Sequence, residues 1–595
     1  MADLKPYKAG LASTPAVLRL VWKSAPLAAT LLCAANLAYA LVPLGVAWAG
    51  KRIVDGVVAR DADATLRWVL IEFALVALQA LAGRATQLTH SVVSGRLVIE
   101  IHLLILDKAL RLELKHFESH EFYDMLVRAR SEASGRPVSF LDQLMRIGSA
   151  AITFAGSAVL LGRFSLWAVG LLAVAAAPST IVEMIFSRRV FQMRNWRSPD
   201  RRRLNYTEYV LANDSYVKEV KLLGLGPALL ERYRKLAFAF HDEELGLTRR
   251  RAAWGLALAF LATCAFYGCY GVMAGAAAAG ALTLGNMTLY IAAFRSGQQS
   301  LQGILGAIGG LFEDSLYLGN LFKFLGIPVA ERMVLPPHVI REEEGIRFVD
   351  VGFRYPFPED SAWVFRGLNL FIPKGQSLAL VGPNGAGKTT LIKLMTGLYE
   401  PTEGRVLLDG RDVRAWDSVE LRRRFSAVFQ DFNRYQFTAR ENIGVGSPAH
   451  QSDDARLARA VEKGGADELV RDLPRGLDTQ LGTWFKGGTE LSGGQWQKLA
   501  LARAFMREES DILILDEPTA ALDAETEHAV FERFKNLAQG RTTILISHRF
   551  PTVRMADRIV VLEHGRIVEE GAHAELLARG ARYAQLFTLQ AEGYQ

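Results

Sequence analysis

Residues 377–389, Ser377-Leu378-Ala379-Leu380-Val381-Gly382-Pro383-Asn384-Gly385-Ala386-Gly387-Lys388-Thr389, pass through three kinds of local sequence. Ser377–Val381 is a short apolar run of the kind buried in a parallel sheet. Gly382–Gly387 is glycine-rich and can fold back on itself. Lys388 and Thr389 open a helical stretch that continues to about Thr396. Strand, glycine loop and helix in this order make a phosphate cradle. The glycines let backbone N–H groups converge on phosphate oxygens, and the helix N-terminus adds partial positive charge. Lys388 is placed for the β- and γ-phosphates, and the Thr389 hydroxyl for Mg2+.

Two later stretches extend this reading. Asp511-Ile512-Leu513-Ile514-Leu515-Asp516-Glu517 is an apolar strand pattern that ends in two carboxylates. Asp516 is expected to reach Mg2+ through water, and Glu517 to polarise the attacking water. Between cradle and carboxylates stands Leu491-Ser492-Gly493-Gly494-Gln495, followed by a helical pattern from Trp496 to Met506. Ser492 can cap that helix, which leaves open N–H groups facing an anion.

The residues before the cradle have a different character. The chain has 595 residues, too many for one core, and half are hydrophobic, with a mean hydropathy of +0.14. The formal charge of +7 fits either a nucleic-acid binder or a membrane protein with basic cytoplasmic loops. The distribution decides, because residues 1–326 carry six apolar segments: 25–50, 66–88, 138–162, 164–186, 252–279 and 286–312. A bilayer span needs about 20 apolar residues. Ala252–Phe294 is uncharged but too long for one span, and Gly280–Asn286 supplies a turn within it. Residues 84–146 hold 9 Lys and Arg and residues 183–251 hold 15, against 4 in residues 51–67. This bias puts the two long connections, and with an even number of spans both termini, in the cytoplasm. Phe117–Arg130 and Tyr209–Leu225 are expected to form short helices at the tips of those connections, touching the nucleotide half. Met1–Ser24 lacks a leader pattern, so an uncleaved multi-pass protein is expected. Six spans argue against a soluble nucleic-acid-acting ATPase, and no nucleic-acid partner is expected. Cys33, Cys264 and Cys269 all lie in apolar segments, which gives no disulfide framework and no Cys metal site. Residues 327–345, with Pro328, Pro336 and Pro337, read as a linker. Residues 346–595 then form the nucleotide-binding domain.

The three motifs together resemble the ATP-binding cassette (ABC) family. The whole chain resembles ABC exporter half-transporters of the bacterial multidrug, lipid and peptide export type. The resemblance implies a membrane α-helical bundle, six transmembrane helices with long cytoplasmic extensions, fused to an α/β P-loop nucleotide-binding domain. It implies ATP contacts at Gly382, Asn384, Gly385, Gly387, Lys388, Thr389 and Thr390, with Tyr355 stacked on adenine. Thr389, Gln430 and Asp516 would hold Mg2+, while Glu517, His548 and Gln430 would form the catalytic set. Asp523 would link opposed sites. Ser492, Gly493, Gly494 and Gln495 would complete the site of a second subunit, so a homodimer with two sandwiched ATP molecules is expected. Two positions depart from the family pattern. Lys486 stands where exporters often have an acidic residue that contacts the cytoplasmic helix tips, and Ala520 where many relatives have Ser.

The implied activity is ATP-driven export, or outward flipping, of a peptide, lipid or hydrophobic small molecule across the cytoplasmic membrane. An ATP-gated channel or regulatory membrane ATPase is the alternative. Arg295 and Gln298, one helical turn apart on the sixth segment, are candidates for a cavity lining that suits an anionic group.

Overall fold

Hydrophobic runs of different length produce two kinds of unit. The computed structural model describes residues 14–592, except 134, most of 172–197, 330–343, 359–360, 519–539 and 548. One unit comprises residues 1–111 and 123–328; the other comprises residues 112–122 and 329–595.

The first unit is helical. Its long described helices are α1 (Pro26–Val58), α2 (Ala62–Arg111), α3 (Arg136–Gly162), α4 (Gly226–Ala278) and α5 (Leu284–Leu325). Among the described residues, α1 to α4 are long and apolar enough to cross a membrane by length and composition. The sixth expected segment lies within α5, whose apolar stretch is interrupted by Arg295, Gln298 and Gln299. The fourth, 164–186, falls mostly outside the described residues. At 1.5 Å per residue, the 50 residues of α2 and 53 of α4 extend about 75–80 Å. That length far exceeds a hydrocarbon core of about 30 Å. Phe73, Leu81, Leu256 and Phe260 are exposed on these helices, as an apolar surround requires.

Polar groups inside this unit are used locally. Gly280, with φ of 75°, ends the turn after α4, and the Thr283 hydroxyl accepts the Asn286 N–H at 3.1 Å to start α5. Asn36 on α1 donates to the Met145 carbonyl on α3 at 3.1 Å, and the Thr153 hydroxyl on α3 donates to the Ala40 carbonyl at 2.9 Å. Such bonds hold helices together where apolar burial gives little discrimination. At the start of α3, Arg136 donates to Asp314 on α5 at 3.0 Å, and its guanidinium lies 4.0 Å from the centre of the Tyr317 ring. Gln298 on α5 lies 3.5 Å from the Ala262 carbonyl on α4, while Arg295 is exposed.

The second unit contains two sheets. The antiparallel one has the order β2 (Trp363–Pro373), β1 (Gly345–Arg354), β4 (Glu403–Leu408), β5 (Arg411–Asp412). The other has the order β10 (Arg566–Gly571), β9 (Arg558–Glu563), β3 (Ser377–Val381), β8 (Thr542–Ile546), β7 (Ile512–Asp516), β6 (Phe425–Val428). Strands β9, β3, β8, β7 and β6 are parallel. β7 and β8 are buried along their whole length, which explains their unbroken apolar sequences. Helix α6 (Lys388–Met395) follows β3, and α7 (Gly493–Phe505) precedes β7. Trp496 on α7 is only 1% exposed and packs with Leu499, Leu513 and Leu515 in one apolar cluster.

Truncating that indole removes a large buried surface. Trp496→Ala should lower the unfolding temperature of the cassette by about 10 °C, measured by scanning calorimetry of the full chain. An unchanged transition would contradict the packing role.

Candidate functional site

β3 and β7 flank β8 and run in the same direction, so the loops after both leave one edge of the sheet. Parallel sheets bind ligands at the carboxyl ends of their strands. After β3 the chain passes so close to β9 that a Cβ on Gly382 would lie 2.1 Å from the Leu562 carbonyl oxygen. Gly387 has φ of 101°, and a Cβ there would strike the Phe365 ring. Only glycine fits at both points. Asn384 and Gly385 are exposed at the tip of the loop.

Lys388 opens α6 beneath this loop and is 7% exposed. Its ammonium donates to the carbonyls of Gly382 at 2.8 Å and Pro383 at 3.0 Å. Burial pulls its pKa below the ordinary lysine value, while Glu517 and Asp516 act in the opposite direction. The Thr389 hydroxyl donates to Asp516 Oδ2 at 3.2 Å. Gln430, two residues beyond β6, donates from Nε2 to Glu517 Oε2 at 2.8 Å. Glu517 has φ of 49°, and its N–H donates to the Ile546 carbonyl at 2.8 Å. This left-handed residue turns the chain sharply out of β7. Lys388, Thr389, Gln430, Asp516 and Glu517 therefore converge as the sequence predicts.

Tyr355 leaves β1, and its hydroxyl lies 2.9 Å from the Thr390 hydroxyl. Its ring meets Tyr399 edge-on at 5.5 Å between centroids, with the Lys393 ammonium 5.3 Å from the Tyr355 centroid. Residues 112–122 join the same unit. Leu114 packs against the cassette core, and Glu118 accepts from Lys393 at 3.0 Å and from the Tyr399 hydroxyl. Burial, then Glu118, holds the Tyr399 phenol well above its usual range. The expectation that Phe117–Arg130 touches the nucleotide half is met at Glu118. The partners Lys393 and Tyr399 escaped sequence reasoning. Lys393 stands one helical turn beyond Thr390, and that spacing was the available signal.

The Ser492 turn is built separately. Ser492 Oγ accepts the Gln495 N–H at 3.3 Å, and Gln495 Oε1 accepts the Ser492 N–H at 2.8 Å, a reciprocal cap at the start of α7. Among the described residues, the hydrogen bonds of this turn do not reach the Lys388 loop. Ser492 and Gln495 are exposed, and Gly493 and Gly494 are half-buried. Lys486 is exposed in a loop with Trp484 and Phe485, which are 82% and 52% exposed. Asp523 and His548 lie outside the described residues.

The donors present suit Mg2+. Asp516 is 2% exposed, and burial pushes its carboxyl up to about 6, with a smaller push from Glu517 and an opposing hydrogen bond from Thr389. A buried carboxylate beside a hydroxyl offers two hard oxygen ligands to a cation whose charge would relieve that burial. Among the described residues no group of three or more His, Cys, Asp or Glu could hold a metal.

Comparison with known proteins gives a consistent result. Residues 365–520 match the family model described as ABC transporter. The chain is 32% identical to the subtilin transport ATP-binding protein of Bacillus subtilis, over 82% of this chain and 79% of the relative. It is 28% identical to the nisin transport ATP-binding protein of Lactococcus lactis subsp. lactis, over 97% of this chain and 96% of that one. It is 32% identical to the ATP-dependent lipid A-core flippase of Thiobacillus denitrificans, over 90% and 91% of the two chains. The structure of a bacterial Atm1-family ABC exporter with ATP bound superposes with a TM-score of 0.78, at 25% identity, covering 97% of this chain and 99% of that one.

The environment of Asp516 sets a pH dependence. Its folded carboxyl titrates near 6, above the ordinary value of 3.8, so the folded state binds this proton more tightly than the unfolded one. Ionisation therefore costs stability as pH rises from about 4 through 6, and the full cost persists above that window. Asp516→Asn should raise the unfolding temperature of the nucleotide- and magnesium-free protein at about pH 7.5, and much less near pH 4. A variant less stable than its parent at the higher pH would contradict the assignment.

Proposed function

Because this chain belongs to the ABC transporter family, as an ATP-hydrolysing exporter with a multi-pass membrane half, we propose that it acts as a homodimer with two ATP molecules held between its cassettes. The convergence of Thr389 with Asp516, and of Gln430 with Glu517, at the carboxyl ends of β3 and β7 carries this reading.

The residues divide the work as follows. Lys388 exchanges its loop carbonyls for the β- and γ-phosphate oxygens, while N–H groups of residues 382–390 surround them. Tyr355 offers an aromatic face to adenine. Thr389, Asp516 and Gln430 hold Mg2+, which when bound neutralises charge on the phosphate oxygens. Gln430 orients the Glu517 carboxylate, and Glu517 positions and polarises the attacking water. His548 supports the γ-phosphate, and Asp523 contacts the opposed site. The Ser492–Gln495 turn closes over the γ-phosphate held by the partner chain, as the N-terminus of a helix suits an anion. ATP thereby joins the two cassettes, and cleavage to ADP and phosphate releases them. The membrane helices follow these two states.

The protein sits in the cytoplasmic membrane with both termini in the cytoplasm, in keeping with the Lys and Arg bias of residues 84–146 and 183–251. Residues 1–326 contain six spans, residues 327–345 link the halves, and residues 346–595 form the nucleotide-binding domain. Relatives named for subtilin, nisin and lipid A-core transport support an amphipathic cargo, a peptide, lipid or hydrophobic small molecule.

The test uses inside-out vesicles containing the protein and a panel of amphipathic peptides, lipids and hydrophobic dyes. Transport should accumulate at least one probe against its gradient with ATP and Mg2+. In Glu517→Gln, ATP binding should persist while turnover and accumulation fall at least about 100-fold. Downhill flux alone would favour a channel, and rapid steady-state turnover in the variant would remove Glu517 from its role.

A further inference from the structure

We propose that Gln497 is a positioning residue that ties the Ser492 turn to the Glu517 turn within one chain, so that phosphate held at one site of the dimer sets hydrolysis at the other. This rests on the two-chain reading above.

Gln497 lies just over one helical turn beyond Ser492 on α7 and is 2% exposed, whereas Ser492 and Gln495 are exposed. Its neighbours Trp496, Leu499, Ala500 and Leu501 are buried apolar side chains. Packing alone therefore favours leucine here. The amide instead donates from Nε2 to the Pro518 carbonyl, immediately after Glu517. Its Oε1 is buried with no hydrogen-bond partner among the described residues. A buried polar atom left without a partner carries a desolvation cost, so a site that retains one calls for a reason beyond packing.

The surroundings supply one. Three hydrogen bonds among the described residues tie down the Glu517 turn: its N–H on Ile546, its carboxylate on Gln430, and the carbonyl of the next residue on Gln497. The first two belong to the sheet edge of the same nucleotide site. Only the third comes from α7, the helix whose first turn faces the partner chain in the proposed dimer. A rigid helix pushed by phosphate at its N-terminus moves the Pro518 carbonyl through one amide. The unused Oε1 gives that amide capacity to accept a different donor once the turn has moved. Hydrolysis at the two sites then becomes cooperative, because each signature turn reports to the carboxylate of its own chain.

The test compares the full-length reconstituted protein with Gln497→Leu, which keeps about the volume but no amide, and Gln497→Met, which keeps the unbranched shape but not the donor. ATP binding, ATP-dependent association of the cassettes, turnover against ATP concentration and unfolding temperature are measured. The wild type should give a Hill coefficient above 1. Both variants should bind ATP within about threefold of wild type, turn over at least about tenfold more slowly, and lose cooperativity to a coefficient of about 1. Their unfolding temperatures should stay within a few degrees of wild type. Wild-type turnover and cooperativity in folded Gln497→Leu would overturn the inference and leave the exporter reading intact. Failure of both variants to fold, or turnover falling only in step with thermal stability, would make Gln497 a structural amide and likewise overturn it. Absence of ATP-dependent association in the wild type would instead sink the dimer reading.

Discussion

Two adjacent carboxylates at the end of a buried strand constrain the rest of the cassette. Asp516 and Glu517 lie where β7 leaves the sheet, and burial pushes the Asp516 carboxyl up to about 6. Like charges so close require positive charge nearby. The Lys388 ammonium supplies part of it, and in the proposed site a divalent cation held by Thr389 and Asp516 would supply more. The Gln430 amide and the Thr389 hydroxyl meet part of this requirement, each bringing a donor to one of the two carboxylates. Ionisation of Asp516 costs the ligand-free protein stability.

The second constraint, in the proposed dimer, is that one chain makes half a site. The Ser492 turn is a capped helix start, with Ser492 and Gln495 exposed, built apart from the phosphate loop. A helix N-terminus of this kind is suited to an anion, and the proposed partner chain brings one. At the other edge of the cassette, Glu118 reaches Lys393 and Tyr399 beside Tyr355. A residue from the first long connection thus contacts the helix that opens with Lys388.

Much of this was legible in the sequence because the determining forces are local. The apolar run of β3, the glycine loop and Lys388-Thr389 occupy consecutive residues, so their geometry follows from steric permission and hydrogen bonding along the chain. The Gly280 turn between α4 and α5 was readable for the same reason. Long-range pairings were not. Nothing near Glu118 in sequence names Tyr399, and nothing near Gln497 names the Pro518 carbonyl, because both pairings depend on how elements pack. The convergence of Gln430 with Glu517 was anticipated only through family resemblance. The sixth apolar segment illustrates the opposite limit: a continuous helix is clear, yet Arg295 and Gln298 weaken its signature as a span, and Gln298 lies at a neighbouring helix carbonyl.

The composite site is tested most directly by cross-linking across the proposed dimer. In a background without Cys33, Cys264 and Cys269, one chain carries Asn384→Cys and the other Ser492→Cys, joined by a short bifunctional thiol reagent. With ATP and Mg2+ the two chains should become covalently linked, and linkage should fall sharply when nucleotide is withheld. Chains that remain unlinked in ATP and Mg2+, although both thiols react with a monofunctional reagent, would contradict a phosphate site shared between two copies.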